Sequence, residues 1–131
     1  MVREFACDGV IIRDGEILLI KRAAQPGKGK WAVPGGRIEQ DEDAVQCLKR
    51  EMKEETNLDV EPIALLGIYS DPKREPRGII AAAYLCKIIG GTLRHGDDAG
   101  EAEWFDLDKL PALWADHGKI VADALALVRK M

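Results

Sequence analysis

Residues 36 to 58 read GRIEQDEDAVQCLKREMKEETNL, and their pattern decides how the chain folds around them. From about Glu42 to Thr56 no glycine or proline interrupts the run. Ala44, Val45, Leu48 and Met52 recur along one face, which predicts an amphipathic helix. Asn57 fits the left-handed position that ends such a helix. Glu51, Glu54 and Glu55 stand at i, i+3 and i+4, so their side chains leave neighbouring positions on one side. At about 100° per residue, Glu51 and Glu54 fall just beside the apolar arc and Glu55 falls within it. Like charges this close repel one another and resist desolvation unless a cation sits among the oxygens. Hard divalent ions such as Mg²⁺ supply that charge and prefer carboxylate oxygen. By spacing alone the run is also that of an acidic helix with a solvated face. There Lys49, Arg50 and Lys53 would pair with the glutamates, each pair worth a few tenths of a kcal/mol.

Working outward, Pro34-Gly35-Gly36 immediately upstream is a strong loop signal, and its glycines can bring bare backbone close to an ion or a phosphate. Before it, Phe5 to Ile12 and Ile17 to Ile20 are β-branched and apolar runs joined through Asp14-Gly15, which predicts a β-hairpin. A polar Gly/Pro stretch, Gln25 to Lys30, leads into a short apolar run, Trp31 to Val33. Downstream, Val60 to Tyr69 and Ile79 to Ile89 read as strands separated by a polar loop, Ser70 to Gly78. Another loop, Gly90 to Gly100, leads to the apolar residues around Trp104 and Phe105. Ile120, Val121, Ala124, Leu125 and Val128 then recur at helical spacing.

Length and composition bound the function. The 131 residues fit one domain, and burial of roughly two-thirds of the unfolded surface suffices for a core without staples. A composition 47% hydrophobic and 32% charged is that of a folded, soluble chain rather than a disordered one. The net charge of −4 argues against a nucleic-acid polymer as partner, because such binding needs a basic surface, but leaves room for a small phosphorylated ligand. Cys7, Cys47 and Cys86 are odd in number and show no C-x-x-C spacing, so neither a disulfide framework nor a thiolate metal site is expected. No run approaches the ~18 apolar residues of a membrane span, and no signal-peptide core is present, so the cytoplasm is the expected compartment.

The quoted stretch resembles the Nudix box, G-x5-E-x7-R-E-U-x-E-E-x-G-U with U a bulky apolar residue. Gly36, Glu42, Arg50, Glu51, Met52, Glu54, Glu55 and Leu58 all match. Asn57 departs from it, standing where the pattern has its last glycine. Asn is the non-glycine residue that best tolerates the left-handed conformation, so the helix can still end there. Six fixed matches arise by chance on the order of once in 10⁵ chains, which makes the motif highly specific.

The resemblance implies an α/β fold, the α/β/α Nudix sandwich with a mixed β-sheet and the box as loop-helix-loop, over a single domain spanning residues 1–131. It implies a metal-dependent hydrolase that uses water to cleave a diphosphate linkage in a nucleoside diphosphate derivative. Mg²⁺, or Mn²⁺, would be held by Glu51, Glu54, Glu55 and the backbone carbonyl of Gly35, and Arg50 would hold the glutamates in position. The general base in this family is a box glutamate or an acid from a later loop, so Glu51, Asp97, Asp98 and Glu101 are the candidates. Solvated turn positions are the competing reading for the loop acids.

For the substrate, Ser70 to Gly78 resembles the segment of ADP-ribose pyrophosphatases that carries a proline about fifteen residues past the box, here Pro72. Lys73, Arg74 and Arg77 would then contact phosphates or the terminal ribose, against the alternative of a solvated basic loop. Trp31, Tyr69, Tyr84 and Trp104 are candidates to stack on a base or, more ordinarily, members of the core. The expected substrate is ADP-ribose, cleaved to AMP and ribose 5-phosphate, with a homodimer as the common assembly of such enzymes. Modified nucleoside triphosphates, nucleotide sugars and dinucleoside polyphosphates are the alternatives within the family. A non-catalytic nucleotide sensor is disfavoured because all the box glutamates are present.

Overall fold

The structure is a computed structural model that describes residues 2–94 and 101–131. The first hairpin forms as the sequence predicts. Strand β1 (Phe5–Arg13) turns at Asp14 and Gly15, both at positive φ (53° and 77°), into β2 (Glu16–Lys21), with Ile12 opposite Ile17. Two successive left-handed residues match the right-handed twist of the flanking strands, and Asp-Gly supplies them with little strain. Two short strands follow, β3 (Trp31–Ala32) and β4 (Gly35–Arg37). The second corrects the loop reading of Gly35-Gly36: this backbone is extended and pairs antiparallel with β1.

Helix α1 (Ala44–Thr56) begins two residues later than expected, because Asp43 caps it. Asp43 Oδ1 accepts from the Gln46 N–H at 2.8 Å, and Gln46 Oε1 accepts from the Asp43 N–H at 2.9 Å. This capping box satisfies two backbone donors that a helix start leaves free. Asn57 ends the helix at φ 64°, as its tolerance of that conformation predicts. Strands β5 (Leu58–Tyr69) and β6 (Ile80–Gly91) pair antiparallel through three register shifts, β7 (Ala102–Asp106) pairs with β2, and α2 (His117–Val128) follows.

Among the described residues the sheet has seven strands in the order β3-β2-β1-β6-β5, with β4 also on β1 and β7 also on β2. It is mixed, since β1 and β6 run parallel. Period-two alternation divides its side chains between two cores. Cys7, Ile11, Leu18, Ile20 and Ala82 pack with Cys47, Leu48 and Met52 of α1. Val10, Ile17, Leu19, Ala81 and Ala83 pack with Ile120, Val121 and Ala124 of α2. The helices therefore cover opposite faces, the α/β/α arrangement expected. A side chain at Gly9 would meet Met52 Sδ at 2.9 Å and Leu48 at 3.1 Å, so the bare backbone there lets α1 lie close on β1.

Candidate active site

Strand β4 brings the two glycines between β1 and the helix: Gly35 lies opposite Asp8, and Gly36 opposite Cys7. A Cβ on Gly35 would run into the Asp8 carboxylate, and one on Gly36 into the carboxylate of Glu51. Space, more than conformation, demands glycine at both positions. The Gly35 N–H donates to Glu55 Oε1 at 2.6 Å. Asp8, Glu51 and Glu55 thus crowd around two residues that have no side chains.

Arg50 organises the outer side of this group. Its Nε and Nη2 hold Glu42 bidentately at 2.5 and 2.8 Å. Nη1 donates to Glu51 Oε1 at 2.7 Å and to Glu54 at 3.3 Å, and Nη2 also reaches the Arg37 carbonyl at 3.1 Å. One planar fork fixes three carboxylates, a task a lysine's point charge does not perform. Hydrogen bonds from Arg50 hold the Glu42 carboxyl down at about 2.

The inner acids behave in the opposite way. Burial pushes Glu55 up to about 8, with the nearby charges of Glu51 and Asp8 adding to it and the Gly35 hydrogen bond opposing. Burial likewise raises Asp8 to about 7, against the pull of Arg74. Glu51 is also raised, again chiefly by burial and against Arg50. Glu54 stays exposed, its partner Arg50. Among the described residues no three acidic, imidazole or thiol groups are drawn to one point as a finished metal cage. The donor set nevertheless fits a hard divalent cation. Crowded carboxyl groups, three of them raised in pKa chiefly by burial, offer oxygen ligands whose repulsion such an ion would relieve.

Asp8 and Glu55 open on a cleft of about 280 Å³. Its lining includes the acids Asp8 and Glu55, the glycines Gly35 and Gly36, the basic Arg22 and Arg77, and Trp114 and His117. Burial, and then the like charge of Arg77, lower the pKa of Arg22. Buried Glu75 accepts from the Ile79 N–H at 2.9 Å and from Arg77 Nε at 2.8 Å, and among the described residues the terminal nitrogens of Arg77 make no hydrogen bond.

Of the other expected residues, Arg74 borders the cleft with its guanidinium already engaged. Nε and Nη2 donate to Asp116 at 2.9 and 2.7 Å, and Nη1 to the Ile79 carbonyl at 3.0 Å. Its geometry is that of a brace between loop and helix. Lys73 is exposed and outside the cleft lining, in a turn where its N–H donates to Asp71. Glu101 is exposed just before β7, its carbonyl accepting from the Lys21 N–H, and does not line the cleft. Asp97 and Asp98 lie outside the described residues. Trp31, Tyr69, Tyr84 and Trp104 all pack against the two cores, and none lines the cleft.

Asp8, Arg22, Glu75, Trp114 and His117 were not legible as site residues. Asp8 had a signal, an acid inside an otherwise apolar strand. Arg22, Glu75 and the Trp114–His117 pair are far apart in sequence and share no motif.

The NUDIX domain model matches residues 4–124. The chain is 50% identical over 119 residues to an ADP-ribose pyrophosphatase of Methanocaldococcus jannaschii, covering 90% of this chain and 70% of the relative. A solved ADP-ribose pyrophosphatase from Streptococcus suis superposes with a TM-score of 0.82 at 27% identity, covering 98% of this chain and 93% of the other. A bifunctional NMN adenylyltransferase/ADP ribose pyrophosphatase from Francisella tularensis, complexed with AMP and a Mn ion, gives 0.81 at 26% identity, covering 95% and 42%. With the box residues held around Gly35 and Gly36 and the family model spanning nearly the whole chain, this protein belongs to the NUDIX family.

Proposed function

We propose that this chain hydrolyses ADP-ribose to AMP and ribose 5-phosphate with Mg²⁺, or Mn²⁺, as cofactor. The observation that carries this reading is a cleft whose lining joins the acids Asp8 and Glu55 with the guanidinium groups of Arg22 and Arg77, with Glu51 set against its lining residue Gly36. A diphosphate bridging two sugars needs both, cations held by the acids and guanidinium groups for its remaining oxygens. The 50% identity to the archaeal pyrophosphatase supports ADP-ribose in particular.

Glu51, Glu54, Glu55 and the Gly35 carbonyl form the set that would hold the metal. Once bound, the metal supplies positive charge that offsets the diphosphate and acidifies water. Arg50 keeps Glu51 and Glu54 aligned. Arg77, steadied by Glu75, binds the diphosphate, and Glu51 accepts the proton of the attacking water. Water oxygen bonds to one phosphorus, the bridging P–O bond breaks, and the bridging oxygen leaves with its electron pair on the other phosphate. Ile63, Leu65 and Ile68 on edge strand β5, all close to half exposed, support a homodimer through that edge. No helix among the described residues is long and apolar enough to cross a membrane. The three cysteines are free and buried, which suits a reducing cytoplasm.

The test compares kcat/KM for ADP-ribose with that for ADP, UDP-glucose, diadenosine polyphosphates and 8-oxo-dGTP under identical Mg²⁺. ADP-ribose should lead. Preference for another by tenfold, about 1.4 kcal/mol, overturns the assignment.

A further inference from the structure

His117, the first residue of α2, has no counterpart in the chemistry described so far. It is buried, 6% exposed, and lines the cleft beside Val33. Its Nδ1 accepts a hydrogen bond from the Val33 N–H at 3.1 Å, 84 residues away. An imidazole nitrogen that accepts carries no proton, so in the neutral ring the proton is on Nε2. A charged ring would instead turn an N–H against the N–H of Val33, and burial with the charge of Arg74 opposes it further, holding the pKa down at about 4. Near neutral pH the ring is therefore one fixed tautomer with a single outward donor.

That donor is unused. Nε2 has no hydrogen-bond partner among the described residues, and it is not sealed from the cleft, since no buried side-chain nitrogen or oxygen is left without a partner. The carboxylate next to it in sequence, Asp116, is taken by the bidentate bond from Arg74. A donor held in place at the wall of a cleft is met by water until a ligand oxygen displaces it.

We propose that His117 is a substrate-binding residue whose Nε2–H donates to an oxygen of the diphosphate or sugar held in the cleft. The inference rests on the reading of this cleft as a diphosphate-ester site. An uncharged donor suits the position, because Arg22 and Arg74 already bring positive charge near the ring, and a charged ring would be repelled by them. Through Nδ1 the same ring holds Val33, two residues before Gly35, so it ties the substrate to the segment that carries the glycines.

Two substitutions separate the nitrogens. In His117→Asn the side-chain oxygen takes the place of Nδ1 and keeps the Val33 bond, but no donor remains at Nε2. In His117→Gln the amide nitrogen takes the place of Nε2, and the Val33 bond is lost. Kinetics are measured on whichever diphosphate in the panel the wild type cleaves best, which keeps this test apart from that of ADP-ribose as substrate. The Asn variant should keep the wild-type Tm and lose about tenfold in kcat/KM, mainly through KM. The Gln variant should melt lower and stay within about threefold in kcat/KM. A purely structural His117 gives the reverse order, activity following stability, and overturns the proposal. Independently, ¹⁵N-histidine NMR on the wild type, which has two histidines, should show His117 protonated at Nε2. That resonance should move on titration with AMP, ribose 5-phosphate or inorganic pyrophosphate in Mg²⁺. An Nδ1-protonated ring, or an Nε2 signal that ignores all three while other cleft resonances shift, also overturns it.

Discussion

Glu55 carries the clearest conflict between stability and function, because it is buried beside two other acids, with a backbone hydrogen bond from Gly35 and the charge of Arg22 opposing this. Its folded pKa, raised to about 8, lies above the value near 4.5 of a free glutamate. Below pH 4.5 the group is protonated in both the folded and the unfolded chain and has no effect. As pH rises the unfolded chain ionises first, so the destabilisation grows through neutrality and is complete above about 8. Glu55→Gln should therefore stabilise the metal-free protein at pH 8.5 by several kcal/mol and leave it unchanged near pH 4, as urea denaturation at the two values will show. The same variant, and Glu54→Gln, should lose on the order of 100-fold or more in kcat at saturating Mg²⁺, since each removes a ligand charge at nearly constant volume. Near wild-type turnover in either would sink its role as a metal ligand. Gly36→Ala should fold less stably and lose activity, because the added methyl collides with Glu51.

At the scale of elements, α1 is defined by local signals at both ends, and these are testable without reference to catalysis. Asp43→Ala removes the cap to the Gln46 N–H and should cost about 1 kcal/mol. Asn57→Ala removes the short polar side chain that lets Asn tolerate φ 64°, and it also loses the bond from Asn57 Nδ2 to the Thr92 carbonyl at 2.9 Å. Roughly 1–2 kcal/mol should follow for each of those losses. Asn57→Gly loses only the second, so chemical denaturation should rank wild type, then Gly, then Ala. The helix, its stop and the first hairpin were readable because their causes lie within a few residues. Strand β4 was not, since Gly35 to Arg37 is extended only through its pairing with β1, nearly thirty residues earlier.

For the whole molecule, the brace between Arg74 and Asp116 joins the β5–β6 loop to the start of α2, and both segments border the cleft. The Arg74 side chain is 4% exposed. Arg74→Met leaves Asp116 without its partner and should destabilise by about 3 kcal/mol or more. It should also raise KM more than it lowers kcat, because the loop carrying Arg77 loses its anchor. Mg²⁺ should raise the Tm of the wild type more at pH 8 than at pH 6, since at the lower pH it must displace protons from Glu55 and Asp8. The sequence by itself determined the box, its helix, the family and which glutamates the box contributes, because all lie in one run of 23 residues whose spacing maps directly onto a helix. Only the tertiary structure decided that Asp8, Arg22, Trp114 and His117 share a cleft, that Arg74 is a brace, and that Lys73 lies outside it. Those facts depend on strand pairing and helix packing between segments up to about a hundred residues apart, and no local pattern encodes which distant side chain will meet which.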